Sequence, residues 1–446
     1  MASGAVSETP TLEDMLGGDN IQSAWHRVRR NRGCAGVDGV TTEELEPAFS
    51  EQWRRAEILL RSGAYRPQPL LRVRIPKPSG GERLLGIPTV MDRVVQQALA
   101  QILSPCWEPR FSPRSFAYRP GRGPHDALKA FEGAVNRGSS WVLHLDIENF
   151  FDSVPHITAL TALQRDLTDQ RVAMLVGQTL SCGVYENGVV RPASAGLPQG
   201  SPLSPLVANV VLNELDLRLQ QSGCEFVRYA DDCVVLLPRE NLEPLARQVV
   251  IESLANLGLR LNERKTGFAH VIRTRFLGFA FCQNNSGQVV RSVSPESVGE
   301  AEQTLLQYIQ ARAGSGETVA EETARMLRSW LAYFWSPYDE EKLKDLANRI
   351  CVAWQAMYPG NPVPNALRWE NLRIRDRSCA DQVDYNGHFQ NTRSRQGSVD
   401  WSSSLCCLFK RALRSRWWHV EYDMGWGHRS PGIRLCLGSH RINFRL

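Results

Sequence analysis

An acidic pair held between two short apolar runs constrains this chain most. Phe226-Val227-Arg228-Tyr229 and Cys233-Val234-Val235-Leu236-Leu237 read as strands, with Ala230, Asp231 and Asp232 at the tip between them. A further carboxylate, Asp146, ends the run Trp141-Val142-Leu143-His144-Leu145, which reads as a buried strand. Charges at the ends of apolar strands need compensation, because desolvating them is costly. Three carboxylates gathered there would also repel and raise one another's pKa. A pair of divalent cations removes that conflict. Magnesium prefers hard oxygen ligands and shares its shell with phosphate, so the cluster would gain a use as well as a counter-charge.

An Asp-Asp pair between two strands is, by itself, more often a polar turn, and its partners along the chain give it weight. Between Asp146 and the pair lies Gly196-Leu197-Pro198-Gln199-Gly200-Ser201-Pro202-Leu203-Ser204-Pro205. It opens a helix whose apolar stripe is Leu206, Val207, Val210, Val211, Leu215 and Leu219. Gly and Pro set an unusual backbone there, Gln199 offers an amide, and a helix N-terminus suits phosphate. Upstream, Leu70 to Lys77 alternates like a strand, Pro78-Ser79-Gly80-Gly81 reads as a turn, and Arg83 to Pro88 follows, a basic β-hairpin. Residues 20 to 63 read as mostly helical, broken at Gly33 to Gly39. From Pro295 the pattern is helical again, with stripes at Val298, Ala301, Leu305 and Ile309 and at Ala320, Ala324, Leu327, Leu331 and Phe334. The mixture predicts an α+β fold with a sheet backed by helices.

Composition adds limits. The 446 residues suit two to four packed units. No apolar run is long enough to span a bilayer, so no membrane partner is expected. The first residues lack the charged-then-apolar order of a signal peptide, and a cytoplasmic location is expected. The eleven cysteines are scattered without any C-x-x-C spacing, which predicts reduced thiols. Cys406, Cys407, His419 and Cys436 match no common zinc spacing. The formal charge of +5 is uneven: residues 361–446 hold 14 Lys plus Arg against 7 Asp plus Glu. Trp369, Trp401, Trp417 and Trp418 lie among those arginines, a pattern suited to a polyanion whose bases can stack.

An aspartate at one strand end, followed about 85 residues later by an Asp-Asp hairpin, is the spacing of a polymerase palm. Here the chain resembles the reverse transcriptases encoded by group II introns and their bacterial relatives. The matching motifs run in family order over roughly residues 24 to 281. Gly36-Val37-Asp38-Gly39 resembles the N-terminal extension motif, and Arg72 through Arg83 with Gly86-Ile87-Pro88 the fingers hairpin. Phe116 to Arg122, then His125 to Leu128, resemble the second block, and Asp146-Ile147-Glu148-Asn149-Phe150-Phe151-Asp152 the first catalytic block. The Gln199-Gly200 loop, Tyr229 to Asp232, Leu261 to Thr266 and Phe276-Leu277-Gly278-Phe279 complete the series. Arg328 to Phe334 is similar to a maturase-domain segment, with Ser329 where glycine is usual.

The resemblance implies a right-hand polymerase: an N-terminal extension (1–65), fingers and palm (66–290), a helical thumb or maturase-like domain (291–360) and a basic nucleic-acid-binding region (361–446). It implies RNA-directed DNA polymerase activity with two Mg²⁺ ions, for which Mn²⁺ could substitute. Asp146, Asp231 and Asp232 would be catalytic and hold metal, joined by the backbone carbonyl of Ile147; Asp232 would mainly support. Lys77, Arg83, Phe150 and Gln199 would bind the nucleotide, with Phe150, or Phe151 beside it, packing under the sugar. Arg119, Arg122 and Lys265 would meet nucleic acid. The implied partners are an RNA template, a DNA or RNA primer, dNTPs and a cognate intron RNA. The rival reading is an RNA-binding maturase that uses the polymerase core as a scaffold. Within the enzyme class, intron mobility, CRISPR-linked spacer acquisition and antiviral defence stay open as settings.

Overall fold

A computed structural model of the chain describes residues 9–76, 82–311, 316–372, 419–423, 432–437 and 440–445. The basic hairpin forms β1 (Leu70–Pro76) and β2 (Glu82–Ile87), antiparallel, with Val73 opposite Leu85. The predicted buried strand is β3 (Trp141–Leu145). A second hairpin, β4 (Val184–Glu186) and β5 (Val189–Arg191), was not anticipated; β4 lies parallel to β1 and extends the fingers sheet to the order β2-β1-β4-β5. Its signal was present: Asn187-Gly188 takes positive φ at both residues, 52° and 84°, as a two-residue turn between right-twisted strands demands. The acidic hairpin forms β6 (Glu225–Tyr229) and β7 (Asp232–Leu237), and β8 is Gly267–His270. Together they make the palm sheet, in the order β6-β7-β3-β8.

The palm sheet is apolar on both faces because both are covered. Leu143, Leu145, Cys233 and Val235 point into one core with Val207, Val211 and Leu215 of the helix Ser204–Gln221. Val142, Val227, Val234 and Leu236 point the other way, into a core with Leu128 and Phe131 of the helix Pro124–Asn136. This second core also takes β9 (Arg275–Phe276), β10 (Phe279–Gln283) and β11 (Val289–Val293) and the helices Pro295–Gln310, Gly316–Phe334 and Glu340–Met357. The aromatic stripe Trp330, Tyr333 and Phe334 is core here, and the Tyr333 hydroxyl donates to the Leu277 carbonyl at 3.0 Å, holding the turn between β9 and β10. Leu367, Trp369 and Leu372 pack into the same core, so the helical region extends past residue 360.

The N-terminal extension is bound to the rest by apolar and backbone contact. Trp25 of the helix Gly18–Asn31 stacks on Phe49 at 4.2 Å within the core that also holds Val94, Ala98 and Leu99 of the helix Val90–Trp107. Trp401, Cys406, Cys407, Trp417 and Trp418 lie outside the described residues, and the next described elements are three strands. These are β12 (His419–Asp423), β13 (Gly432–Leu437) and β14 (His440–Arg445), an antiparallel meander that the sequence reading did not expect. Among the described residues no helix is long and apolar enough to cross a membrane.

Gly36 explains the glycine-rich break at 33–39. A Cβ there would lie 2.7 Å from both Cα and N of Thr89, backbone atoms that cannot yield as a side chain can. Gly39 differs: its φ is 70°, yet a Cβ would meet nothing within 4 Å. Gly36→Ala should therefore destabilise the chain by about 1–3 kcal/mol, through forced separation of the extension from the fingers. Gly39→Ala should cost about 1–2 kcal/mol, from backbone conformation alone. Denaturant melts of both variants test this, and a Gly36→Ala melt indistinguishable from wild type would refute the close docking.

Candidate active site

Strand register brings the first two carboxylates together. β3 pairs antiparallel with β7, Leu145 opposite Cys233, so the next step along the ladder sets Asp146 beside Asp232. Both side chains keep 36% of their surface exposed, at the sheet end rather than inside it. Asp231 is half-buried in the two-residue turn, where Ala230 takes φ of 60°. A non-glycine residue at that φ is uncommon and costs about 1–2 kcal/mol, which surrounding contacts must offset.

Each strand-end carboxylate is engaged by nearby donors. Asp146 Oδ2 accepts from Asn262 Nδ2 at 3.2 Å and lies 3.8 Å from Lys265 Nζ. The Asp146 carbonyl accepts from the Asn262 amide at 2.7 Å, and its amide donates to Thr266 Oγ1 at 3.3 Å. The segment Leu261–Thr266 is thus a collar around Asp146, and Ile147, itself buried, bridges Leu261. Asp232 Oδ1 is 2.6 Å from His144 Nε2. Burial would lower the His144 pKa, but the hydrogen bond to Asp232 and the charges of Asp232 and Asp146 outweigh it and raise the pKa.

Two neighbouring carboxylates that attract an ammonium and favour an imidazolium form a donor set that a hard divalent cation fits. Among the described residues, however, no three His, Cys, Asp or Glu groups stand together as ready metal ligands. The side chains of Asp146 and Asp232 are turned to Asn262, Lys265 and His144 instead.

The other expected residues divide. The Gln199 carbonyl accepts from the Gly86 amide at 3.3 Å, so its loop joins palm to fingers strand β2. The same loop rests on the first catalytic block, Leu197 N donating to Phe151 O at 2.6 Å and Gly196 N to Val154 O at 2.8 Å. Arg83 stands on β2 opposite Ile75, and Lys77 lies outside the described residues. Two of the expected residues are buried. Phe150 is 2% exposed, inside the core, while Phe151 is only partly buried; of the two, Phe151 alone has ring surface to offer a sugar. Arg119 is 2% exposed, and its guanidinium is bonded to Glu108 and to the carbonyls of Ser112 and Ser115. Arg122 is half-buried, donates to the Pro113 carbonyl at 2.7 Å and lies over the Phe116 ring.

Sequence reasoning passed over His144 and Asn262, which hold the carboxylates. It also passed over Arg228, Asp216 and Asn209, charged or polar residues inside otherwise apolar elements. That mismatch was their signal, since a buried charge needs a partner. Because the His144 pKa is raised above its ordinary 6.5, its bond to Asp232 stabilises the fold fully below that value. The contribution is lost as pH rises through the folded-state pKa. In EDTA, wild-type melting temperature should therefore fall more steeply than that of His144→Asn between about pH 6 and pH 8. Parallel profiles would show that the bond carries no protonation linkage.

The chain also matches known proteins. The family model described as reverse transcriptase (RNA-dependent DNA polymerase) matches residues 75–281, from β1 to β10. Protein YkfC of Escherichia coli K12 is 32% identical over 276 residues, covering 53% of this chain and 72% of that protein. Group II intron-encoded protein LtrA of Lactococcus lactis subsp. cremoris is 32% identical over 227 residues, 51% of this chain but only 38% of LtrA. Among solved structures, a chain of a partial Cas6-RT-Cas1–Cas2 complex overlays 56% of this chain and 42% of its own length, at 27% identity and a TM-score of 0.36. With strand β2, the palm carboxylates and the Gln199 loop inside the span matched by the family model, and 72% of YkfC covered at 32% identity, the chain belongs to the reverse transcriptase family, in the group II intron-like branch.

Proposed function

We propose that this chain extends a DNA or RNA primer with dNTPs on an RNA template. The observation that carries the reading is the β3–β7 register, which sets Asp146 beside Asp232 next to the Asp231 turn. Asp146 and Asp231 would hold two Mg²⁺ ions, with the Ile147 carbonyl contributing and Asp232 supporting through His144. When bound, the ions supply charge that favours in-line attack by the primer 3′-hydroxyl and departure of pyrophosphate. Lys265, 73% exposed and beside Asp146, would meet the primer backbone once a cation relieves it of that carboxylate. Gln199, Lys77 and Arg83 would hold the nucleotide between palm and fingers. A cytoplasmic location and a cognate intron RNA as partner belong to the same proposal.

The sugar contact is assigned to Phe151. Phe151→Val should raise ribonucleotide incorporation by about 10-fold or more relative to deoxynucleotides, since removing one wall admits a hydroxyl. Phe150→Ala should leave that ratio alone and cost about 3–5 kcal/mol in stability, as a core truncation does. Asp231→Ala with Asp232→Ala should abolish primer extension, by about 10³-fold or more, and leave RNA binding intact. A purified wild-type chain that extended no primer, or an active double variant, would sink the polymerase reading.

The charge of residues 361–446 favours a second role for that region, binding nucleic acid beyond the palm. Leu367, Trp369 and Leu372 belong to the helical core, so a truncation must follow Leu372. It should weaken RNA binding and flatten its dependence on salt. An unchanged salt slope would rule the region out as a phosphate contact.

A further inference from the structure

We infer that Arg228 is the positioning residue of the catalytic turn: anchored by Asp216 and Asn209, it holds the central peptide of that turn and so the direction of Asp231. This inference rests on the polymerase reading proposed above. Arg228 lies on β6, and its side chain and that of Asp216 are both 0% exposed. Arg228 Nε donates to Asp216 Oδ1 at 2.7 Å and Nη2 to Asp216 Oδ2 at 2.6 Å, a bidentate fork. Arg228 Nη1 donates to Asn209 Oδ1 at 3.0 Å and to the Ala230 carbonyl at 2.9 Å.

The anchors are themselves fixed. Asn209 and Asp216 are seven residues apart on the helix Ser204–Gln221, two turns along one face. Asn209 Nδ2 donates to the Ala117 carbonyl at 2.8 Å, which leaves its oxygen turned to Arg228. The Arg228 backbone is held as well: its amide donates to Arg114 O at 2.9 Å, and its carbonyl accepts from Phe116 N at 3.0 Å. Guanidinium, helix and flanking loop therefore form one rigid frame beneath the turn.

What that frame holds is a peptide with two choices. The two common turns of a tight hairpin differ in the orientation of the peptide between their central residues. Ala230 has φ of 60° and Asp231 is not at positive φ, the pattern of a type II′ turn. The carbonyl that a flip would reverse is that of Ala230, the one Arg228 holds. Reversing that peptide would turn the backbone of Asp231 and with it the direction of its carboxylate.

A purely structural role would be filled by any well-packed pair joining β6 to the helix, since apolar isosteres often replace buried ion pairs without loss of stability. Arg228→Met with Asp216→Leu separates the two roles. Steady-state primer extension by the full chain is measured alongside its melting temperature, KM for dNTP, primer–template Kd and the Mg²⁺ concentration at half-maximal rate. We expect a near-native melting temperature, a kcat lower by about 10–100-fold and a higher Mg²⁺ midpoint, with KM and Kd changed little. A native-like double variant with wild-type kcat overturns the assignment. If that variant does not fold, Asn209→Ala decides, because it keeps the fork and removes the bond that steadies Nη1 against the Ala230 carbonyl. A kcat lower by about threefold or more at unchanged KM then supports the role, and an unchanged kcat overturns it. Wild-type protein that extends no primer removes the polymerase reading and this inference together, whereas an active wild type with an active double variant removes this inference alone.

Discussion

The register of β3 against β7 is the constraint on which the rest depends. β3 is covered on both faces, so apolar burial alone would tolerate a shift by one residue. The polar residues do not. His144 and Asp146 share a face with Asp232, and a one-step slip would drive His144 into the core around Val207 and Leu215 while turning Asp146 away from its neighbour. The sheet is thus set by a few polar side chains at one end, and apolar packing locks the arrangement they select.

Exposure separates the carboxylates that hold the molecule together from those available for chemistry. Asp216 and Asp339 are fully buried. Asp339 accepts from Ser292 Oγ at 2.6 Å and Val293 N at 2.7 Å, tying the start of the helix Glu340–Met357 to β11. Asp92, also buried, accepts from the Tyr65 and Thr89 hydroxyls and the Gln68 amide. Such groups are satisfied internally and gain nothing from a ligand. Asp146 and Asp232 stand at a sheet end with over a third of their side-chain surface exposed, where a cation can reach them.

Much of this was legible in the sequence. The basic hairpin, the acidic hairpin and the helix stripes are local patterns, and local periodicity follows from which face is buried. The β4–β5 hairpin carried its own signal in Asn187-Gly188 and was passed over because its strands are only three residues each. Phe150 and Phe151 could not be ranked without the fold, since adjacent aromatic residues differ only in which one the core accepts. The family resemblance set Arg119 against template phosphate, and a motif match carries no information on burial. Glu108, eleven residues earlier, draws it inward.

The sequence by itself determined the kinds of element, the order of the motifs and the chemistry the carboxylates could perform, because residue type and spacing suffice for those. Tertiary structure decided which side chains meet. Asp146 and Asp232 are 86 positions apart in the chain and become neighbours only through strand pairing. Asn262 reaches Asp146, and the frame of Asp216, Asn209 and Arg228 reaches the Ala230 carbonyl, through packing of elements distant in sequence. Hydrogen bonds and ion pairs act over a few ångströms, and no linear pattern encodes which distant groups folding brings within that range.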